Sequence, residues 1–162
     1  MRKELTINTI NFILNEKKYT RVVSFHKTLL EFLRDDLSVL SLKEGCGEGE
    51  CGTCTILINN KPVNSCLVLA VEADGTSIRT VEGETKEGKL TLLQESFKKH
   101  HATQCGFCTP GMIMSAQSLL ERNDNPSEEE IKEAIEGNFC RCTGYRQIID
   151  AINETAQRKS LT

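Results

Sequence analysis

Apolar and polar positions are interleaved along the first fourteen residues, with Leu5, Ile7 and Thr9, then Ile10, Phe12 and Leu14, in a pattern that predicts an extended segment. Asn15 to Lys18 reads as a turn and Tyr19 to Val23 as the returning strand, so the chain is expected to open on a hairpin. Thr28-Leu-Leu-Glu31 is a capping box, in which the hydroxyl and the carboxylate each satisfy a free N–H at a helix start. Behind it Leu29, Leu30, Phe32, Leu33 and Leu37 line one side of a short helix that ends before Ser41. A glycine-rich loop occupies 45–54. Strands are then predicted at Thr55 to Ile58, from Val63 onward after a turn at Asn59-Asn60-Lys61, and last at Ile78 to Val81.

From residue 82 the period becomes helical. Thr91-Leu-Leu-Gln94 is a second capping box, opening a helix to about His100. Thr109-Pro110 sets a cap and a first-turn proline ahead of Met112, Ile113, Ala116, Leu119 and Leu120. Ser127 and Glu130 form a third box before Ile131, Ala134 and Ile135, with Gly137 as the stop; a last helix carries Ile148, Ile149, Ile152 and Ala156. The expectation is an α+β chain: a small mixed domain over residues 1–81, then a helical domain of four helices over 82–162. The joining stretch, Glu82 to Lys89, is too short for a flexible tether, so the two are expected to pack together.

Composition narrows the function. A formal charge of -3 with scattered lysines and arginines gives no clustered basic surface for nucleic acid. The longest apolar run, Leu67 to Val71, falls far short of the roughly 20 residues that cross a bilayer. No signal-peptide core is visible at the N-terminus, which predicts a soluble chain in the cytoplasm. Eight cysteines in 162 residues exceed what an ordinary cytosolic chain carries, and that excess needs a chemical reason.

The cysteines fall into two unlike groups. Cys46, Cys51, Cys54 and Cys66 are spaced C-x4-C-x2-C-x11-C, and the first three match the plant-type two-iron, two-sulfur (2Fe-2S) spacing, where one loop wraps a cluster. Glycines beside and between them let the loop turn sharply and bring N–H groups to the sulfurs of an anionic centre. Cys105, Cys108, Cys140 and Cys142 form C-x2-C-x31-C-x-C, each pair placed just before a predicted helix, where free N–H groups and the dipole favour thiolate. Two helix ends converging on a second 2Fe-2S cluster is the expected geometry.

Other chemistries fit less well. Disulfides suit the even count, but the chain carries no export signal and a C-x-C bridge is strained. Structural zinc accepts C-x2-C pairs, yet a glycine-lined wrap with three cysteines is not its usual knuckle. A Rieske-type centre needs histidines within the cysteine motifs, and His26, His100 and His101 lie outside them; the last two read as a solvated helix C-cap.

Four blocks together resemble one family. Glu44-Gly-Cys-Gly-Glu-Gly-Glu-Cys-Gly-Thr-Cys54, Pro62-Val-Asn-Ser-Cys66, Gln104-Cys-Gly-Phe-Cys-Thr-Pro-Gly-Met112 and Gly137-Asn-Phe-Cys-Arg-Cys-Thr-Gly-Tyr145 are similar to the iron-sulfur small subunit of the molybdenum hydroxylases. This is the family of xanthine dehydrogenase, aldehyde oxidoreductase and carbon monoxide dehydrogenase. The resemblance implies a ferredoxin-like β-grasp domain followed by a four-helix domain, each with one 2Fe-2S cluster. It implies partners too: a large subunit with a molybdopterin cofactor and a medium subunit with FAD, in a heterotrimer that can dimerise, with electrons relayed between them. The cluster on Cys105, Cys108, Cys140 and Cys142 is then the one next to the molybdopterin, with Gln104 and Cys142 close to the pterin, and the cluster on Cys46, Cys51, Cys54 and Cys66 faces the flavin. The family works on purines, aldehydes, nicotinate, carbon monoxide and aromatic coenzyme A thioesters, the choice lying in the large subunit. A chain ending at Thr162 is expected to meet the molybdenum and flavin parts as separate chains, and to be redox-active without substrate turnover by itself. The alternative is a freestanding ferredoxin-like carrier, against which stand the x11 spacing and the entire helical part.

Overall fold

The structure is a computed structural model describing residues 7–85 and 87–160; Leu5, the first position of the expected opening strand, lies outside them. Strand β1 (Ile7–Leu14) pairs antiparallel with β2 (Lys17–Ser24) along its full length, Ile7 opposite Ser24 and Leu14 opposite Lys17. Their two-residue turn has both Asn15 and Glu16 at positive φ (48° and 69°), the twist that a tight hairpin demands. That turn is shorter than expected, so β2 begins at Lys17 instead of Tyr19. Alternation puts Ile10, Phe12 and Leu14 inside, and the Phe12 ring packs on Tyr19 and Phe32 at 5.6 and 5.7 Å between centroids.

Strands β3 (Thr55–Ile58) and β4 (Lys61–Asn64) make a second antiparallel hairpin, and β5 (Ser77–Arg79) closes the sheet in the order β2-β1-β5-β3-β4. β5 runs antiparallel to β3 but parallel to β1. A parallel pair needs a crossover, and this one, residues 15–76, includes α1 (Leu29–Glu31) with the π-helical turn Phe32–Asp36 that continues it. Leu29, Leu30, Phe32 and Leu33 from this crossover are buried against the sheet's inner face. Val81, expected to end the last strand, instead starts α2 (Val81–Glu84). The Asn15 side chain explains the change: it accepts from the Thr80 N–H and donates to Thr80 Oγ1, taking the bonds that a longer ladder would have used.

The rest is helical: α3 (Leu92–Lys99), α4 (Thr109–Arg122), α5 (Glu128–Ile135) and α6 (Arg146–Lys159). All three sequence-predicted capping boxes form, on Thr28 with Glu31, Thr91 with Gln94, and Ser127 with Glu130. Two hydrophobic clusters result, one from Ile10 to Ile78 and one from Leu93 to Ala156. Polar bonds stitch them together. The Arg79 guanidinium reaches Glu84 at 2.8 Å and Glu121 on α4 at 2.7 Å, and Ser118 donates to the Asn60 carbonyl. The architecture is α+β, as the sequence predicts, and no helix among the described residues is long and apolar enough to cross a membrane.

Ile152, fully buried in the helical cluster, is a sensitive position. Ile152→Ala is expected to lower unfolding free energy by about 2–5 kcal/mol, because the neighbours close only partly over the space left. Val22→Ala, on an exposed strand face, should stay within about 0.5 kcal/mol. Urea titration of both variants checks the contrast.

Candidate metal centres

The first cysteine set is built by a loop and a hairpin. Cys46 and Cys51 lie half-buried on the 45–54 loop, while Cys54 and Cys66 are buried at the two open ends of the β3–β4 hairpin. Thr55 opposes Asn64, so the next residue out on each strand brings Cys54 beside Ser65, whose N–H and hydroxyl both donate to the Cys54 carbonyl. The eleven residues between Cys54 and Cys66 are therefore two strands, a two-residue turn and Ser65. Burial first, then the neighbouring Cys54 thiol, pushes Cys66 up to about 11. Cys46 moves the other way, down to about 7, because the main-chain N–H groups of Glu48 and Cys51 point at its sulfur; the Glu48 nitrogen stands 3.4 Å from Sγ. Thr53 Oγ1 lies 3.3 Å from Cys51 Sγ. The loop also meets the helical part closely: a Cβ on Gly52 would come within 2.2 Å of the Gly137 carbonyl oxygen, so only glycine fits there.

The second set sits where two helices start. Cys108 is the N-cap of α4, buried, with Cys105 exposed on the loop before it. Cys140 is half-buried and Cys142 exposed, ahead of α6. The sulfurs of Cys142 and Cys105 are 3.6 Å apart. Burial, and after it the Cys140 thiol, pushes Cys108 up to about 12. Burial works against ionisation of Cys140 as well, but the Thr143 hydroxyl at 3.1 Å and N–H at 3.4 Å hold it below the usual thiol range. The Cys105 thiol raises Cys142.

Two expectations need correcting. Thr109 is not the cap of α4: its backbone is already helical, and the capping place falls to Cys108, which makes no side-chain cap bond. The helix behind the second pair starts past Gly144, as expected. Tyr145, left-handed at φ 69°, is the N-cap of α6, so Cys142 stands three residues ahead of it. The phenol earns that conformation by accepting from the Cys140 N–H at 2.9 Å and donating to the Asn138 carbonyl at 3.3 Å. Gln104 is exposed, next to the exposed Cys105. His100 is the C-cap of α3, as expected, but its ring is half-buried and bonds Glu154 on α6, so it is not solvated, while His101 is exposed. Thr53, Asn138, Thr143 and Tyr145 were not singled out by spacing, although a hydroxyl two or three residues beyond Cys51 and Cys140 was a usable signal.

What the donors can hold follows from their grouping. Among the described residues no three His, Cys, Asp or Glu side chains close on a single ion; the thiols come in pairs. A cluster with two irons takes two thiolates on each. Two sulfurs on one tetrahedral metal with bonds of ~2.3 Å stand roughly 3.8 Å apart, which the separation of 3.6 Å between Cys105 and Cys142 matches. The N–H and O–H donors at these sulfurs suit an anionic centre.

Such a fold, a five-stranded sheet with a cysteine loop joined to a helical part with its own cysteines, defines an iron-sulfur electron-transfer protein with two binding domains. Residues 12–92 match the 2Fe-2S iron-sulfur cluster binding domain and residues 80–153 the 2Fe-2S binding domain. The nicotinate dehydrogenase small FeS subunit of Eubacterium barkeri is 48% identical over 93% of this chain and 96% of its own length. The xanthine dehydrogenase iron-sulfur-binding subunit of Escherichia coli O157:H7 is 42% identical over 96% of this chain and 94% of its own. Quinoline 2-oxidoreductase from Pseudomonas putida 86 superposes with a TM-score of 0.89 at 47% identity, over 94% of this chain and 97% of that one. The chain belongs to the iron-sulfur small subunits of the molybdenum hydroxylase family, and it is an electron-transfer subunit of an oxidoreductase complex.

Thr143→Val removes the hydroxyl beside Cys140 while keeping the shape. A hydrogen bond to sulfur favours the more negative, reduced state, so its loss is expected to move one midpoint potential negative by tens of millivolts, given roughly 59 mV per tenfold change for one electron. A redox titration followed by EPR checks the shift, and the other signal should not move.

Proposed function

We propose that Cys46, Cys51, Cys54 and Cys66 hold one 2Fe-2S cluster and Cys105, Cys108, Cys140 and Cys142 a second, and that the chain relays electrons between a molybdopterin-binding large subunit and an FAD-binding medium subunit. The observation that carries the reading is the gathering of all eight cysteines into two sets, each supplied with backbone or hydroxyl donors to sulfur. When bound, the clusters supply one-electron storage; the chain holds them in place and shields them. Residues 1–81 form the first binding domain and 82–162 the second, a division supported by the two separate hydrophobic clusters.

Cys105 and Cys142 are the exposed pair of the second set, and Phe107 and Phe139, one residue ahead of Cys108 and Cys140, are 45% and 58% exposed. Two aromatic side chains left in water beside two ligands suit burial by a partner, and this is the face for the molybdopterin subunit, with Gln104 and Cys142 nearest the pterin. Leu67, 63% exposed and adjoining Cys66, suits the flavin side. Eight reduced cysteines fit the cytoplasm. By itself the chain is redox-active and turns over no substrate. The names of the relatives, nicotinate dehydrogenase, nicotine 6-hydroxylase, caffeine dehydrogenase and quinoline 2-oxidoreductase, favour a nitrogen heterocycle as the substrate of the whole complex.

Iron and sulfide analysis of the purified chain is expected to give about four of each, with two reduced-cluster EPR signals. Cys51→Ala should remove one signal and keep the other. Stoichiometric zinc or a single signal would refute the cluster assignment. Co-purified large and medium subunits, with turnover of nicotinate, quinoline or xanthine, are expected; a chain that stays alone at all concentrations supports the freestanding carrier, and turnover of aldehydes only would overturn the heterocycle reading.

A further inference from the structure

The side chain of Asn138 lies between the two cysteine sets, only 3% exposed. Its Nδ2 donates to the Gly52 carbonyl at 2.8 Å and to Thr55 Oγ1 at 3.2 Å, and its Oδ1 accepts from Ser115 Oγ at 2.7 Å. Gly52 follows Cys51 and Thr55 follows Cys54, while Asn138 itself stands two residues ahead of Cys140, and Ser115 is on α4, the helix that Cys108 caps. One amide therefore bonds Gly52 and Thr55, the residues next in sequence to two ligands of the first set, and Ser115 on the helix that Cys108 caps, while its own backbone leads into Cys140. Both of its hydrogens and its oxygen are in use, which leaves little freedom in how it can sit.

The packing around it has no slack. A Cβ on Gly111 would come within 2.3 Å of the Gly52 carbonyl oxygen, and one on Gly52 within 2.6 Å of Asn138 Nδ2. Backbone meets backbone here, so a shift of the Asn138 segment moves the Cys51 loop with it. Next in sequence, the Phe139 N–H donates to the Cys51 carbonyl at 2.9 Å. From this geometry we infer that Asn138 is a positioning residue that sets the distance and angle between the two clusters. The inference rests on the two-cluster reading above. The role is specific to an amide: a carboxylate of the same shape offers no donor to the Gly52 carbonyl, and a truncated side chain leaves the Gly52 carbonyl and the Ser115 hydroxyl without this buried partner.

The test uses the full chain, with its partner subunits where they co-purify, and both clusters reduced. Magnetic splitting between the two reduced clusters reads their separation and orientation, since dipolar coupling falls with the cube of distance. Asn138→Ala and Thr55→Val are expected to retain the iron content and both signals but to lose or broaden the wild-type splitting, with slower electron equilibration between the clusters after flash reduction. Ser115→Ala, which keeps both Asn138 donors, should produce a smaller change. Arg79→Gln weakens the same junction without touching either cysteine set, and is expected to leave the splitting as it is. An unchanged splitting in Asn138→Ala and Thr55→Val overturns the role, as does an equal loss in Arg79→Gln, which would make any loosening of the junction sufficient. If Asn138→Ala fails to fold, Thr55→Val decides. A wild-type chain with fewer than two signals refutes the cluster reading instead, before any variant is made.

Discussion

Thiolates gathered around one centre repel one another, and this fold is arranged so that N–H and O–H donors meet that repulsion. The cost is visible in the thiols themselves: burial and a close neighbour push Cys66 up to about 11 and Cys108 up to about 12. The answer is local to each site. At the first it is a loop that turns its own N–H groups toward Cys46; at the second it is the Thr143 hydroxyl and N–H beside Cys140, with the uncapped start of α4 at Cys108. Sheet and helices exist here to deliver these donors. The hairpin of β3 and β4 sets Cys54 against Cys66, and the starts of α4 and α6 bring Cys105 to Cys142.

Much of this was legible in the sequence because it is local. Capping boxes on Thr28, Thr91 and Ser127 involve residues three apart, and period-two and helical patterns follow from one face of each element being dry. The cysteine motifs were legible for the same reason: a loop that wraps a centre must place its ligands at short, fixed spacings. What escaped came from distant residues. Asn15 ends β5 early through bonds to Thr80, sixty-five positions away, and turns Val81 into a helix start. Glu154 claims His100 across fifty-four. Tyr145 adopts a left-handed backbone for its bonds to Cys140 and Asn138, which no propensity would suggest.

The two sites are also unequal in their exposure, and that bears on how a relay is built. Within the second set, Cys105 and Cys142 are exposed while Cys108 is buried and Cys140 half-buried. The inner pair is the one that points along the chain toward the first set, since Phe139, next to Cys140, hydrogen-bonds the carbonyl of Cys51. A surface pair can meet a partner and an inner pair can meet the neighbouring site. An electron carrier with one exposed site needs only the former; a chain with a dry, glycine-tight contact between two sites has a use for both. The close approach at Gly52 and Gly111, where a single methyl group would not fit, fixes how the loop of the first set sits against the elements that carry the second.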